Sequence, residues 1–126
     1  AISKDLGQIS QAGGTISTIV NFTNTGQGDL VIDKINTSCG CTSAAIVYQG
    51  KEGPSFTMPG HGKANPENWQ VAIAPGDTAQ LKVYYDPMAH GKQKEDSLDI
   101  TRTVSIFSND PVDFEQKIKI DLIQLP

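Results

Sequence analysis

Apolar residues recur at every second position through most of this chain, and that period decides the fold class. Ile16, Thr18, Val20 and Phe22 alternate with Ser17, Ile19, Asn21 and Thr23. Leu81, Val83 and Tyr85 alternate with Lys82 and Tyr84, and Ile118, Ile120 and Leu122 with Lys117, Lys119 and Asp121. Val31 to Ile35 forms a short apolar segment, Val71 and Ile73 precede Pro75-Gly76, and Val104 and Ile106 lead into Ser108-Asn109-Asp110-Pro111. A strand sends successive side chains to opposite faces, so this period predicts half-buried antiparallel strands. No stretch carries apolar residues at i, i+3, i+4 and i+7 over three helical turns. The segments end in turn formers: Asn24-Thr25-Gly26, Gly28-Asp29, Pro75-Gly76-Asp77 and Asn109-Asp110-Pro111. About seven strands in roughly a hundred residues predict an all-β immunoglobulin-like sandwich. The Cys…Trp…Cys pattern of antibody domains is absent.

Two stretches break the period. Gly50 to Asn68 is polar and rich in Gly and Pro, a long loop insert of the kind that is functional or mobile. Ala89 to Asp99 reads as a hairpin loop. The whole, residues 1–126, is read as a single domain. At 37% hydrophobic and 19% charged it can build one modest core. A net charge of -4, with Arg102 the sole Arg and the Lys dispersed, argues against nucleic acid and anionic membrane surfaces, which need clustered cations. No apolar run is long enough to span a membrane. The sequence begins at Ala1, as a mature chain would after signal cleavage or as a trimmed chain would; on the first of these an extracytoplasmic place, periplasmic or secreted, is expected.

The soft-ligand residues are grouped. Both Cys, both His and both Met fall in three clusters: Cys39-Gly40-Cys41, Met58-Pro59-Gly60-His61 and Met88-Ala89-His90. Thiolate, thioether and imidazole select copper, zinc and similar ions. Two Cys two residues apart on an extended segment share a face, and Gly40 lets an ion approach. The metal-site reading therefore takes Cys39 and Cys41 as thiolates, His61 and His90 as imidazoles from separate loops, and Met58 or Met88 as weak or alternate donors. Copper stands first and zinc next, for storage, delivery or electron transfer. Three readings compete. The two Cys can form a disulfide, in a ring this spacing makes tight. They can pack as small apolar groups. They can exchange disulfides, which requires a nearby positive group, and Lys34 and Lys51 are the nearest in sequence. For His61 and His90 a solvated loop position is the alternative, and for Met58 and Met88 gap filling. Trp69 is read as core.

No catalytic residues are assigned, and the chain is not read as an enzyme. Nothing marks a Ser-His-Asp arrangement, Glu52, Glu67 and Glu95 form no carboxylate pair, and there is no phosphate-binding loop opening a helix. Asn21-Phe22-Thr23 and Asn36-Thr37-Ser38 match the glycosylation triplet but lie on expected strands.

Several motifs occur in a characteristic order: Asn24-Thr25-Gly26 with Leu30-Val31-Ile32, Ser38-Cys39-Gly40-Cys41-Thr42, Ile73-Ala74-Pro75-Gly76, Val83-Tyr84-Tyr85-Asp86-Pro87 and Ser108-Asn109-Asp110-Pro111. Over about residues 15 to 123 this series resembles a bacterial immunoglobulin-like domain-of-unknown-function family marked by its Ser-Cys-Gly-Cys-Thr motif, itself similar to Hydin-type immunoglobulin-like domains. The resemblance implies an exported β-sandwich without an assigned biochemical role. The chain departs from the shortest members by its long insert after Cys41, which contains Met58 to His61. The resemblance leaves a second function class open: a structural or interaction module whose edges or loops dock a protein partner, with Cys-Gly-Cys as a disulfide or packing element.

Overall fold

A computed structural model describes residues 2–59, 65–89, 91–111 and 114–126. Among these, nine strands form two sheets. They are β1 (Ile2–Ser10), β2 (Ile16–Thr23), β3 (Leu30–Thr37), β4 (Thr42–Tyr48), β5 (Lys51–Glu52), β6 (Val71–Ile73), β7 (Thr78–Tyr85), β8 (Leu98–Ser108) and β9 (Glu115–Leu125). One sheet has the order β1-β9-β8-β3-β6 and the other β2-β7-β4-β5. This is the immunoglobulin-like sandwich that the alternation predicts.

The core lies between the sheets. It includes Val20, Ile32, Ile35, Ile46, Ile73, Leu81, Val83, Val104, Ile118 and Ile120, the inward rank of seven strands. A bulge between Ile32 and Lys34 lets Ile32 and Ile35, three apart, both face inward with no exposed surface. Phe56, from the long insert, is also fully buried. It bridges to Ala44 through two backbone hydrogen bonds of 2.8 Å and packs its ring 5.0 Å from that of Trp69. The insert is therefore anchored at its middle, and Trp69 is partly buried against the core as expected.

Three features depart from the periodic reading. β1 pairs with β9 in parallel, whereas the other pairs are antiparallel. Its register shifts between Asp5 and Gln8, where Gly7 takes a φ of 68° and its N–H bonds Asp5 Oδ1. The shift puts Leu6 and Ile9 both toward the interior, at a spacing that no strict alternation shows. β4 reads Thr-Ser-Ala-Ala-Ile-Val-Tyr, and its consecutive buried Ala44, Ala45 and Ile46 mask the period. Ala89 to Asp99 is not a hairpin loop, because β7 and β8 lie in opposite sheets; it carries the chain across the end of the sandwich.

The family-like turns interlock at one end. Asn24 Nδ2 donates to Gly28 O and Ile73 O, its N–H to Asp77 O, and its carbonyl accepts from the Gly76 N–H. Asn109 Oδ1 accepts from the Val31 N–H beside them. The Cys-Gly-Cys turn lies at the opposite end, where β3 finishes and β4 begins.

Candidate functional site

The turn between β3 and β4 closes on itself. Thr37 Oγ1 donates to Cys39 O at 2.9 Å and also lies 2.8 Å from Thr42 O, and the Thr42 N–H bonds Cys39 O. The Cys41 N–H donates to Cys39 Sγ at 3.2 Å. These bonds curl the segment, and Cys39 and Cys41 form a disulfide with their Cα atoms 5.2 Å apart. That separation lies in the ordinary range, so the turn reaches what an extended Cys-x-Cys segment does not. In this state the two sulfurs are bonded to each other rather than presented as two thiolates.

The pair sits in a small apolar cluster with Tyr85 and Leu122, flanked by Leu6, Ile9, Ile16 and Ile100. Arg102 reaches it from β8. Its Nε donates to Cys41 Sγ at 3.2 Å, and Thr42 Oγ1 stands 3.4 Å from the same sulfur. The nearest Lys in sequence were the candidates for a positive group; the structure supplies Arg102, 61 positions away. A signal for it existed. Leu98, Ile100, Arg102, Val104 and Ile106 form one face of β8, and the only Arg of the chain occupies an otherwise apolar rank.

The described roots of both Met segments are tied to this turn. The Asp86 N–H donates to Cys41 O at 2.8 Å, which ties the root of the Met88 segment to the turn. Thr57 Oγ1 donates to Thr42 O at 3.0 Å, which ties the root of the Met58 segment to it. Asn65 then clamps that segment, its amide bonding both the N–H and the C=O of Thr57. Met58 is half-buried and Met88 is exposed. His61 and His90 lie outside the described residues. Among the described residues, no group of three or more His, Cys, Asp or Glu is placed to hold a metal ion.

A network of buried glutamines fixes the crossing segment after Met88. Gln11 Nε2 donates to Pro87 O and Gly91 O, and its Oε1 accepts from the Gln93 N–H. Gln93 Nε2 donates to Glu95 O and Gln124 O. Tyr85 Oη donates to Gln124 Oε1. Burial of the Tyr85 phenol pushes its pKa above the ordinary 10, with Arg102 opposing and Asp86 reinforcing the shift. Beside this network a cleft of about 420 Å³ is lined by Tyr85, Lys92, Lys94, Ile100 and Arg102 among others.

The sheet edges differ in character. β1 is bulged and carries Lys4 and Asp5, β5 is two charged residues, and β6 is three residues long. β2 is eight residues, Ile-Ser-Thr-Ile-Val-Asn-Phe-Thr, and among the described residues it pairs only with β7, in unbroken register. It has no charge, Pro or Gly, and Ile19 on its outer face is 41% exposed. Beside it a groove of about 80 Å³ enters the core between Val20, Phe22, Ile106 and Ile118.

Sequence comparison matches residues 2–53 to a family described as a protein of unknown function (DUF1573). The match takes in the Ser38 to Thr42 motif and stops before the Pro75-Gly76, Asp86-Pro87 and Ser108–Pro111 segments, so it spans less than the resemblance implies. No curated protein sequence matches the chain. Among solved structures, a protein of unknown function from Porphyromonas gingivalis W83 is similar at 20% identity and a TM-score of 0.65, covering 97% of this chain and 44% of that one. The secreted serine protease VesC from Vibrio cholerae is similar at 14% identity and a TM-score of 0.55, covering 96% of this chain and 21% of that one. The chain thus spans less than half the length of either structure, and at these identities the likeness is one of fold.

Proposed function

We propose that this sandwich is an interaction module that docks an extended segment of a partner protein as an added strand beside β2. One observation carries the reading: three of the four sheet edges among the described residues are short, charged or bulged, and β2 is none of these. Natural sheets guard exposed edges with such devices, because unpaired N–H and C=O groups template pairing with another chain. An eight-residue edge without them is suited to strand addition. The occupant is an uncharged strand with alternating apolar side chains, one rank of which enters the groove beside Val20 and Phe22. The disulfide fits an oxidising, extracytoplasmic setting.

The test is peptide-display selection on the immobilised chain, followed by amide hydrogen exchange of the complexes. Selected peptides should be uncharged and alternately apolar, should protect the outward β2 amides, and should lose binding to Ile19→Lys. Because Ile19 is exposed, that change leaves the core intact. Binders that leave β2 unprotected and bind Ile19→Lys equally would sink the reading.

A second reading concerns the reduced chain. The Thr57 and Asp86 hydrogen bonds root both Met segments at the Cys-Gly-Cys turn, which favours a soft-metal site that forms after the disulfide opens. Cys39 and Cys41 would be the thiolates, with Met58, Met88, His61 and His90 as further donors. Arg102 beside Cys41 suits Cu(I), because a two-coordinate dithiolate of Cu(I) carries a net negative charge. Anaerobic titration of the reduced chain tests it: stoichiometric Cu(I) uptake lost in Cys39→Ser supports the site, and no uptake of copper or zinc removes it.

A further inference from the structure

We propose that Cys39–Cys41 is an exchangeable disulfide, opened by a dithiol that attacks Cys39 while Arg102 receives Cys41 as the leaving thiolate. The asymmetry of the pair carries this. Cys41 Sγ already accepts the Arg102 Nε–H at 3.2 Å, with the Thr42 hydroxyl at 3.4 Å. A guanidinium there stabilises negative charge on sulfur, and a stabilised thiolate leaves faster. Both residues are buried, but Cys39 retains 8% exposure against 3% for Cys41, which makes Cys39 the nearer of the two to solvent and the one assigned as the target of attack, opposite the held leaving group. The Cys41 N–H bonds Cys39 Sγ and holds the two sulfurs in one turn in the disulfide state.

The exchange balances in two steps. A thiolate of the dithiol attacks Cys39 Sγ, a new S–S bond forms to it, the Cys39–Cys41 bond breaks, and its electron pair goes to Cys41. The second thiol of the reagent, deprotonated, then attacks its own sulfur in the mixed disulfide. Cys39 departs as a thiolate and takes up a proton. The dithiol is oxidised to a disulfide, and Cys39 and Cys41 are reduced to two thiols.

This role is independent of the β2 edge, and Ile19→Lys leaves it unchanged. The experiment is the second-order rate of reduction of the folded chain by dithiothreitol, in the native sequence, Arg102→Gln and Arg102→Lys. It is paired with the pH profile of Cys41 alkylation in a Cys39→Ala background with and without Arg102→Gln. The native profile should titrate below that of a free cysteine and move up in Arg102→Gln. The reduction rate should fall severalfold for each pKa unit of that movement, because a more basic thiolate leaves more slowly. Arg102→Lys should restore part of both. Circular dichroism separates these effects from unfolding, and if Arg102→Gln does not fold, the Arg102→Lys rate and profile decide alone. Equal rates and superimposable profiles with and without the guanidinium would overturn the proposal. So would reduction that proceeds only in denaturant.

Discussion

Reducing Cys39–Cys41 should leave this domain folded, and the structure says by how much it weakens. A disulfide stabilises mainly by removing freedom from the unfolded chain, and the effect grows with the loop it closes. The bridge has a sequence separation of 2, so the closed loop holds only Cys39, Gly40 and Cys41, and the chain-entropy relation gives about 1.6 kcal/mol, against about 4.7 kcal/mol for a hundred-residue loop. A domain of this length is held by about 6–15 kcal/mol in total. The turn also keeps its other ties on reduction: Thr37 Oγ1 to Cys39 O, Thr42 N–H to Cys39 O and Asp86 N–H to Cys41 O. At about 3–5 °C per kcal/mol, the melting temperature should drop by about 5–8 °C. Thermal unfolding followed by circular dichroism, with and without a phosphine reductant, measures this. A drop beyond about 20 °C, or loss of the β signal at 25 °C, would refute the reasoning and make the disulfide the keystone of the fold.

Phe56→Ala should cost more, about 3–5 kcal/mol, because a fully buried ring is replaced by a cavity; denaturant titration reads it. Gln124→Leu removes the acceptor of the Tyr85 hydroxyl and a donor to Pro87 O, and should cost about 1–3 kcal/mol while speeding amide exchange at Gln93. Tyr85 and Tyr48 should both titrate above the ordinary 10, Tyr85 through burial and Tyr48 through its hydrogen bond to Asp77. Their contribution to stability is complete below about pH 10 and is lost as pH rises through the raised folded values, because the unfolded chain gives up those protons first. Ultraviolet titration beside unfolding curves from about pH 9 to about pH 12 checks both position and sign. Loss of peptide binding in Ile19→Lys at unchanged melting temperature is the expected signature of the β2 edge.

The fold was largely legible because alternation maps directly onto a two-faced sheet. Ile16–Phe22, Leu81–Tyr85 and Ile118–Leu122 all fall in strands with the expected rank inward. β1 escaped because its bulge at Asp5–Gln8 changes which residues face in, and β4 because small apolar residues fill both its faces. The clustering of Cys39-Gly40-Cys41, Met58 and Met88 was legible in sequence, but whether the clusters meet in space was not. The hydrogen bonds that root the Met segments at the Cys-Gly-Cys turn, from Thr57 and Asp86, had no sequence signature.

The sequence by itself determined strand period, turn positions and the pairing partners available to the sulfurs, because these depend on neighbours one to four residues apart. Tertiary structure decided the rest. It set Arg102 against Cys41 across 61 positions, drove Phe56 of a polar insert into the core, sent the segment after Met88 from one sheet to the other, and left β2 as the unguarded edge. Each of these depends on which strands meet. That is fixed by how two apolar faces bury each other, a property of the whole chain that no local window contains.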